Sequence, residues 1–165
     1  MVRQTSPAQG YRKMPGHRER RHLCYTPQQL FDLVADVERY PDFLPWLVAA
    51  HVRRRDGATV WVDMEVGTAL FSKSFASRAV LEPPKRITIS SHDPLFDRYE
   101  QVWMFEPAPD GGTVVELATD FELHSPVLRT LLGGQLDEAA KAMVSAFSHR
   151  ARQIYGADGT ASAKS

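Results

Sequence analysis

The side chains able to do acid–base, nucleophilic or metal chemistry are scattered along this chain. His17, His22, His51, His92, His124 and His149 are its six histidines, and no two stand at H-x-H or H-E-x-x-H spacing. Cys24 is the one thiol, so the sequence predicts no metal site and no intramolecular disulfide. The run Ser90-Ser91-His92-Asp93 carries the letters of a hydrolase triad. Neighbours on an extended chain point to opposite faces, however, and cannot form a nucleophile–base–orienter relay. Gly133-Gly134-Gln135 lacks the spacing and the preceding strand–turn of a dinucleotide loop. Asp63 with Glu65, and Asp120 with Glu122, share a strand face, as a general acid and base must, but the opposite face of each strand is the apolar one. These pairs therefore read as solvated surface. Lys73 and Gln101 alternate in phase with apolar residues and are the one internal polar pair the pattern offers. No catalytic residue is predicted. The cluster Arg53-Arg54-Arg55 reads as a solvated hairpin tip, with phosphate contact on lipid or ribosomal RNA as its functional alternative.

The elements follow from periodicity. His17 to Tyr25 alternates loosely, as a strand with a charged side. Thr26, Pro27 and Gln29 then form an N-cap, a first-turn proline and a capping box, and Leu30, Phe31, Val34 and Val37 make a helical stripe that Pro41 stops after Tyr40. From Val48 the period becomes two. Strands are predicted around 48–55, 59–67, 71–81, 85–91, 97–106 and 113–123, separated by Asp56-Gly57, Gly67, Pro83-Pro84, His92-Asp93-Pro94 and Asp110-Gly111-Gly112. Helical spacing returns after Ser125 through Leu128, Leu132, Leu136, Ala140, Met143, Phe147, Ala151 and Ile154, with Gly156 as the stop. A sheet with one apolar face must be covered, and this is the one long helix available, which favours sheet packing over a coiled coil. The fold class is α+β: a curved antiparallel sheet of about seven strands, two short helices after the first strand, and a long C-terminal helix against the sheet.

A long curved sheet on one helix leaves room for a gap between them. Met64, Val66, Phe75, Trp103, Phe105, Leu117 and Phe121 are candidates for its sheet side, and Met143 and Phe147 for its helix side. Taken singly, each is better explained by plain core; the case for a cavity rests on the architecture.

Composition bounds the rest. A chain of 165 residues with 43% apolar and 24% charged residues suits one domain, expected over 17–156. Twenty basic residues balance twenty acidic ones, so no whole-surface grip on DNA or anionic membrane is expected. No apolar run approaches the ~20 residues of a spanning helix. Residues 1–16 and 157–165 read as disordered tails; Met14 is an alternative start, and a transit peptide an alternative reading of the basic N-terminus.

Four stretches carry a resemblance: YTPQQLFDLVADVERYPDFLPW, VGTALFSKSFASRAVLEPPKRI, PLFDRYEQVWMFEP and MVSAFSHRARQIYG. With the order of elements, they resemble the START-like helix-grip superfamily of polyketide cyclases/dehydrases and lipid transport proteins, and within it the coenzyme Q-binding branch, which also holds bacterial ribosome-association toxins. That branch usually has a cysteine just after the Trp of FLPW, where this chain has Leu47 and Val48. The resemblance implies a helix-grip fold and a tunnel for a lipophilic molecule, a polyprenyl quinone such as ubiquinone foremost. It implies no cofactor and no dedicated catalytic group. Tyr40, Phe43, Leu44, Trp46 and Leu47 then become candidates for a gate that dips into a bilayer interface, with Phe43 and Trp46 as a plug at one end of the core the equal alternative. Three functions follow as expectations: a non-catalytic quinone binder supporting respiration, a toxin that binds the large ribosomal subunit, and a cyclase or dehydratase. The expected location is cytoplasmic and peripheral at the inner membrane, or the mitochondrial matrix if the N-terminus is a transit peptide.

Overall fold

Thr26 opens the first helix as its neighbours dictate. The Gln29 backbone N–H donates to the Thr26 hydroxyl at 3.1 Å, and the Thr26 N–H donates to the Gln29 side chain at 3.0 Å, which closes the capping box. In this computed structural model, which describes residues 16–68, 70–157 and 159, that helix is α1, Pro27–Ala35. It stops before Tyr40, earlier than the stripe predicts. A 3₁₀ turn over Val37–Asp42 takes over, with Pro41 inside it. A continuing α-helix would drive the Pro41 ring into the Val37 carbonyl, so the proline acts four residues upstream of itself.

The strands are β1 (His17–Leu23), β2 (Leu47–Asp56), β3 (Thr59–Gly67), β4 (Ser72–Glu82), β5 (Arg86–Ser90), β6 (Phe96–Pro107) and β7 (Thr113–Leu123). They form one antiparallel sheet in the order β1-β7-β6-β5-β4-β3-β2, a meander that closes by pairing the first strand with the last. The β2–β3 loop is Gly57-Ala58, with Gly57 at φ +57°, where a side chain is disfavoured. Along β3, Val60, Val62, Met64 and Val66 are buried while Trp61, Asp63 and Glu65 lie on the outer face, as alternation requires.

The long helix α2, Pro126–Tyr155, crosses the inner face. Its 30 residues span ~45 Å. The Leu128 N–H donates to the Ser125 hydroxyl at its start, and Gly156 at φ +81° ends it. It runs through Gly133-Gly134 without interruption. The buried stripe is Leu132, Ala139, Ala140, Val144, Phe147, Ala151 and Tyr155. Leu128, Leu136, Met143 and Ile154, expected in it, are only partly buried. Steps of three and of four both satisfy helical spacing, and packing chose the register that sends Val144 and Tyr155 inward. The Tyr155 hydroxyl donates to the Gln29 carbonyl at 3.1 Å, tying the helix end to α1.

The expected tails lie almost wholly outside the described residues. Ala157 and Gly159 are described: each carbonyl accepts a hydrogen bond, from Cys24 Sγ at 3.4 Å and Gln29 Nε2 at 3.0 Å. The chain past α2 therefore still packs on the β1–α1 corner.

The two ends of the sheet differ. At the end where β6 turns into β7, α1 presses Phe31 edge-on to Phe105, and Trp103 stacks on Phe105 and meets Phe147 at 4.9 Å. The other end gathers the β3–β4 loop, the β5–β6 loop and the β7–α2 junction. There the cover is the first half of α2, and of its first thirteen residues Leu132 alone is buried.

Candidate functional site

Beneath that lightly covered end lies an apolar cavity of ≈ 70 Å³. Met64, Val66, Phe75, Ile89, Phe96, Tyr99, Gln101, Thr119 and Phe121 form its sheet wall; Leu136, Ala139, Ala140 and Met143 form its helix wall. Tyr40, Leu44, Trp46 and Leu47 close the side next to β2. An engineered cavity of ~150 Å³ admits benzene, and the space here is under half of that one. A guest must displace part of the wall.

Of the residues expected at the gap, Met64, Val66, Phe75, Phe121 and Met143 do face this cavity. Trp103, Phe105, Leu117 and Phe147 do not. They are at most 3% exposed and fill the solid core at the α1 end. All have the right strand or helix phase, but phase fixes a face and leaves depth undetermined. Ile89, Phe96, Tyr99, Gln101, Thr119, Leu136, Ala139 and Ala140 complete the lining. Tyr99, Gln101 and Thr119 carried a signal, the same alternation as their apolar neighbours; Phe96 sits one residue before the strand the sequence predicts.

The aromatic stretch around Pro41 and Pro45 turns inward. Tyr40, Leu44 and Leu47 are buried, and the Tyr40 hydroxyl donates to the Val34 carbonyl, fixing its ring under the 3₁₀ turn. Burial raises the Tyr40 phenol well above its ordinary value. Phe43 sits edge-on to Tyr40 and Phe147, at 6.0 and 5.0 Å, and Trp46 packs partly buried against the core. In this structure these residues stand as wall and plug, the second of the two arrangements the sequence allows. Among the described residues, the large apolar side chains most exposed to solvent are Val48 at the start of β2, Leu70 and Phe71 between β3 and β4, and Val127 and Leu131 in the first two turns of α2. Leu70 is 97% exposed. Strand direction puts all five at the end where the cavity lies.

Two kinds of polar group surround this space. On the outside, Arg98 bonds Asp120 at 3.0 Å and also Glu122; Arg129 meets Glu122 at 3.1 Å and Asp97 at 3.3 Å; His124 Nδ1 lies 2.6 Å from Asp97. The His124 hydrogen bond, helped by Arg129, holds the Asp97 carboxyl below its ordinary range. On the inside, Gln101 and Thr119 are buried, and the Trp103 indole N–H donates to Gln101 Oε1 at 3.1 Å. The protein around Tyr99 pushes its phenol up to about 12, so it stays a neutral donor. Lys73, expected inside with Gln101, is exposed instead, its Nζ 5.7 Å from the Phe71 ring. It is the second residue of β4, at the strand's exposed start, so the internal polar pair is not assembled.

The basic residues separate likewise. Arg53 is bound to Asp63 at 2.8 Å, and Arg86 lies 3.9 Å from Glu82. Arg54 stacks over Trp61 at 3.9 Å, and Arg78 stands opposite Trp61 on β4. Arg54, Trp61 and Arg78 therefore form a row across the outer face, on the side of the sheet away from the cavity. Among the described residues no helix is long and apolar enough to cross a membrane.

Residues 23–148 match the sequence model of the family described as polyketide cyclase / dehydrase and lipid transport. The chain is 34% identical over 134 residues to a Pseudomonas aeruginosa protein named ribosome association toxin RatA, covering 81% of this chain and 93% of that one. It is 30% identical over 143 residues to the Xenopus laevis mitochondrial coenzyme Q-binding protein COQ10 homolog B, covering 84% of this chain and 58% of that one. The solution structure of the 18 kDa protein CC1736 from Caulobacter crescentus is 35% identical and superposes with a TM-score of 0.66 over 86% of this chain and 98% of that one.

Proposed function

The chain belongs to the polyketide cyclase / dehydrase and lipid transport family, and we propose that it is a non-catalytic binder of a lipophilic molecule, a polyprenyl quinone first among candidates. The observation that carries this is the apolar cavity at the lightly covered end of the sheet, walled by Met64, Phe75, Phe121 and Met143 and carrying a short polar strip at Gln101 and Thr119. Exposing a prenyl tail to water costs ~0.8 kcal/mol per CH₂-sized group, and such walls remove that cost.

The small resting volume calls for a cover that yields. Gly133 and Gly134 supply it: a Cβ built on either meets nothing within 4 Å, so packing does not demand glycine there. Each glycine in a helix interior costs about 0.5–1 kcal/mol relative to alanine. The helix is weakest, for no steric reason, beside the cavity wall formed by Leu136, Ala139 and Ala140. Lifting this half of α2 enlarges the cavity while Val144, Phe147 and Ala151 hold the other half. Leu70, Phe71, Val127 and Leu131 around the same end form the face that meets a bilayer while a ligand passes, with the inward Tyr40–Leu47 segment as the wall behind.

A second reading is a protein that binds the large ribosomal subunit. The 34% identity to a protein named ribosome association toxin favours it, and the Arg54–Trp61–Arg78 row gives it a surface. Organic extraction of the purified protein followed by mass spectrometry tests the first reading: a co-purified prenyl quinone supports it. Protein that carries no prenyl lipid, takes up none from vesicles, and sediments with the large subunit refutes it in favour of the second. The bacterial cytoplasm and the mitochondrial matrix both suit either reading.

A further inference from the structure

The inner face of the sheet carries a polar row that packing leaves unfinished. His17 on β1, Thr119 on β7 and Gln101 on β6 are direct register partners, so their side chains stand next to one another on the same face. Thr119 is 4% exposed and Gln101 5% exposed. Thr119 Oγ1 and His17 Nε2 are both buried atoms with no hydrogen-bond partner among the described residues. Two orphaned groups on paired positions are a costly arrangement in a core that could have held Val and Phe there.

Gln101 has a determined orientation. The Trp103 indole N–H can only donate, so Gln101 Oε1 must face it, and the amide NH₂ is left to the other side. The row therefore offers a hydroxyl donor, an amide donor and an imidazole nitrogen that donates or accepts according to tautomer. Thr119 and Phe121 line the apolar cavity and also a second groove of ≈ 260 Å³, whose walls include His17, Asp137 and Lys141. The polar row thus stands where an apolar chamber meets a polar vestibule. The start of β1 is pressed hard onto this spot: a Cβ at Gly16, whose φ is +134°, would lie 2.2 Å from the Thr119 carbonyl oxygen.

We infer that His17, Thr119 and Gln101 form the head-group subsite of the ligand, taking a carbonyl oxygen of a quinone-type ring while the apolar cavity takes the tail. The Thr119 O–H and Gln101 N–H donate to the carbonyl. His17 Nε2 donates to it or, for the reduced ring, accepts from its hydroxyl. This rests on the lipophilic-binder reading and names the chemistry of its polar end. Tails alone would need no donors, so the subsite predicts discrimination between ligands of equal greasiness.

The test uses equilibrium dialysis of the full chain with two probes: a short-tailed ubiquinone analogue, and an alkylbenzene of the same tail lacking the carbonyls. Thr119→Val removes the hydroxyl and keeps the shape; Thr119→Ser keeps the hydroxyl. Thr119→Val is expected to weaken quinone binding about 3- to 10-fold and leave alkylbenzene binding unchanged, with Thr119→Ser close to wild type. Its thermal midpoint should not fall, since an unpaired buried hydroxyl is being removed. If Thr119→Val binds both probes as the wild type does, or loses both alike, the subsite is refuted while the lipophilic cavity stands. If the wild type binds neither probe, the lipophilic reading itself fails and takes the subsite with it.

Discussion

Ala139→Leu asks whether the cavity is real space and whether a ligand uses it. Ala139 is buried on α2 with its side chain on the cavity wall. Empty volume in a core costs about 24 cal/mol per Å³, so ≈ 70 Å³ of it corresponds to about 1.7 kcal/mol. Leucine is nearly as good a helix former as alanine, so backbone propensity subtracts little. A side chain that fills most of the space should raise the stability by about 1 kcal/mol, or about 3 °C in thermal midpoint for a domain of this size. Urea unfolding followed by tryptophan fluorescence reads this directly, with an unchanged m-value as the check that the native state keeps its compactness. The same variant should lose most of its affinity for a short-tailed ubiquinone analogue, because the added side chain stands where the ligand must go. If the space is already closed in solution, leucine overpacks the site and the stability falls by about 1–3 kcal/mol, which refutes the cavity. A stabilised variant that still binds the quinone as tightly as wild type refutes the cavity as the binding site.

Two further expectations probe the mouth. Leu70→Ser with Leu131→Ser removes exposed apolar surface and should shift stability by no more than about 0.5 kcal/mol per site, while retention on phosphatidylcholine vesicles in flotation falls severalfold. Retention equal to wild type would remove the bilayer from this face. Asp97→Asn tests the ion network beside it: the folded-state carboxyl lies below its ordinary value of 3.8, so its contribution is present above that pH and is lost as pH falls through the lower folded value. The variant should show a shallower fall in unfolding free energy below about pH 4 than wild type, and identical acid limbs would show that His124 and Arg129 do not stabilise the Asp97 charge.

The sheet was legible because alternation is a strong constraint. A one-residue slip in β3 would put Val60, Val62, Met64 and Val66 into water and Asp63 and Glu65 into the core, so the sequence admits a single choice of face. The capping box at Thr26 and Gln29 marked the start of α1 for the same reason: those side chains satisfy backbone donors nothing else reaches. The end of α1 was less legible. Pro41 forbids an α-helix at Val37, four residues back, and the chain there had both a 3₁₀ turn and an open loop available. The aromatic segment from Tyr40 to Leu47 was legible only as a choice between gate and plug. Its composition suits an interface, but the Tyr40 hydroxyl bond to the Val34 carbonyl and the Phe43–Phe147 contact draw it inward. The Phe43–Phe147 contact joins residues far apart in sequence, which local pattern does not encode.

Depth within one face is the part of the site that periodicity cannot supply, and β6 shows why. Tyr99, Gln101, Trp103 and Phe105 share one face and one alternation. Trp103 and Phe105 are solid core because α1 and Phe147 press on them. Tyr99 and Gln101, a few residues earlier on the same strand, face open space because the cover above them is the glycine-bearing half of α2. The division between solid core and cavity therefore runs across the strands, set by where each helix presses on a uniform sheet. It follows that substitutions on one strand face should separate by end: changes at Trp103 or Phe105 act on folding, whereas changes at Gln101 or Thr119 act on what the cavity accepts.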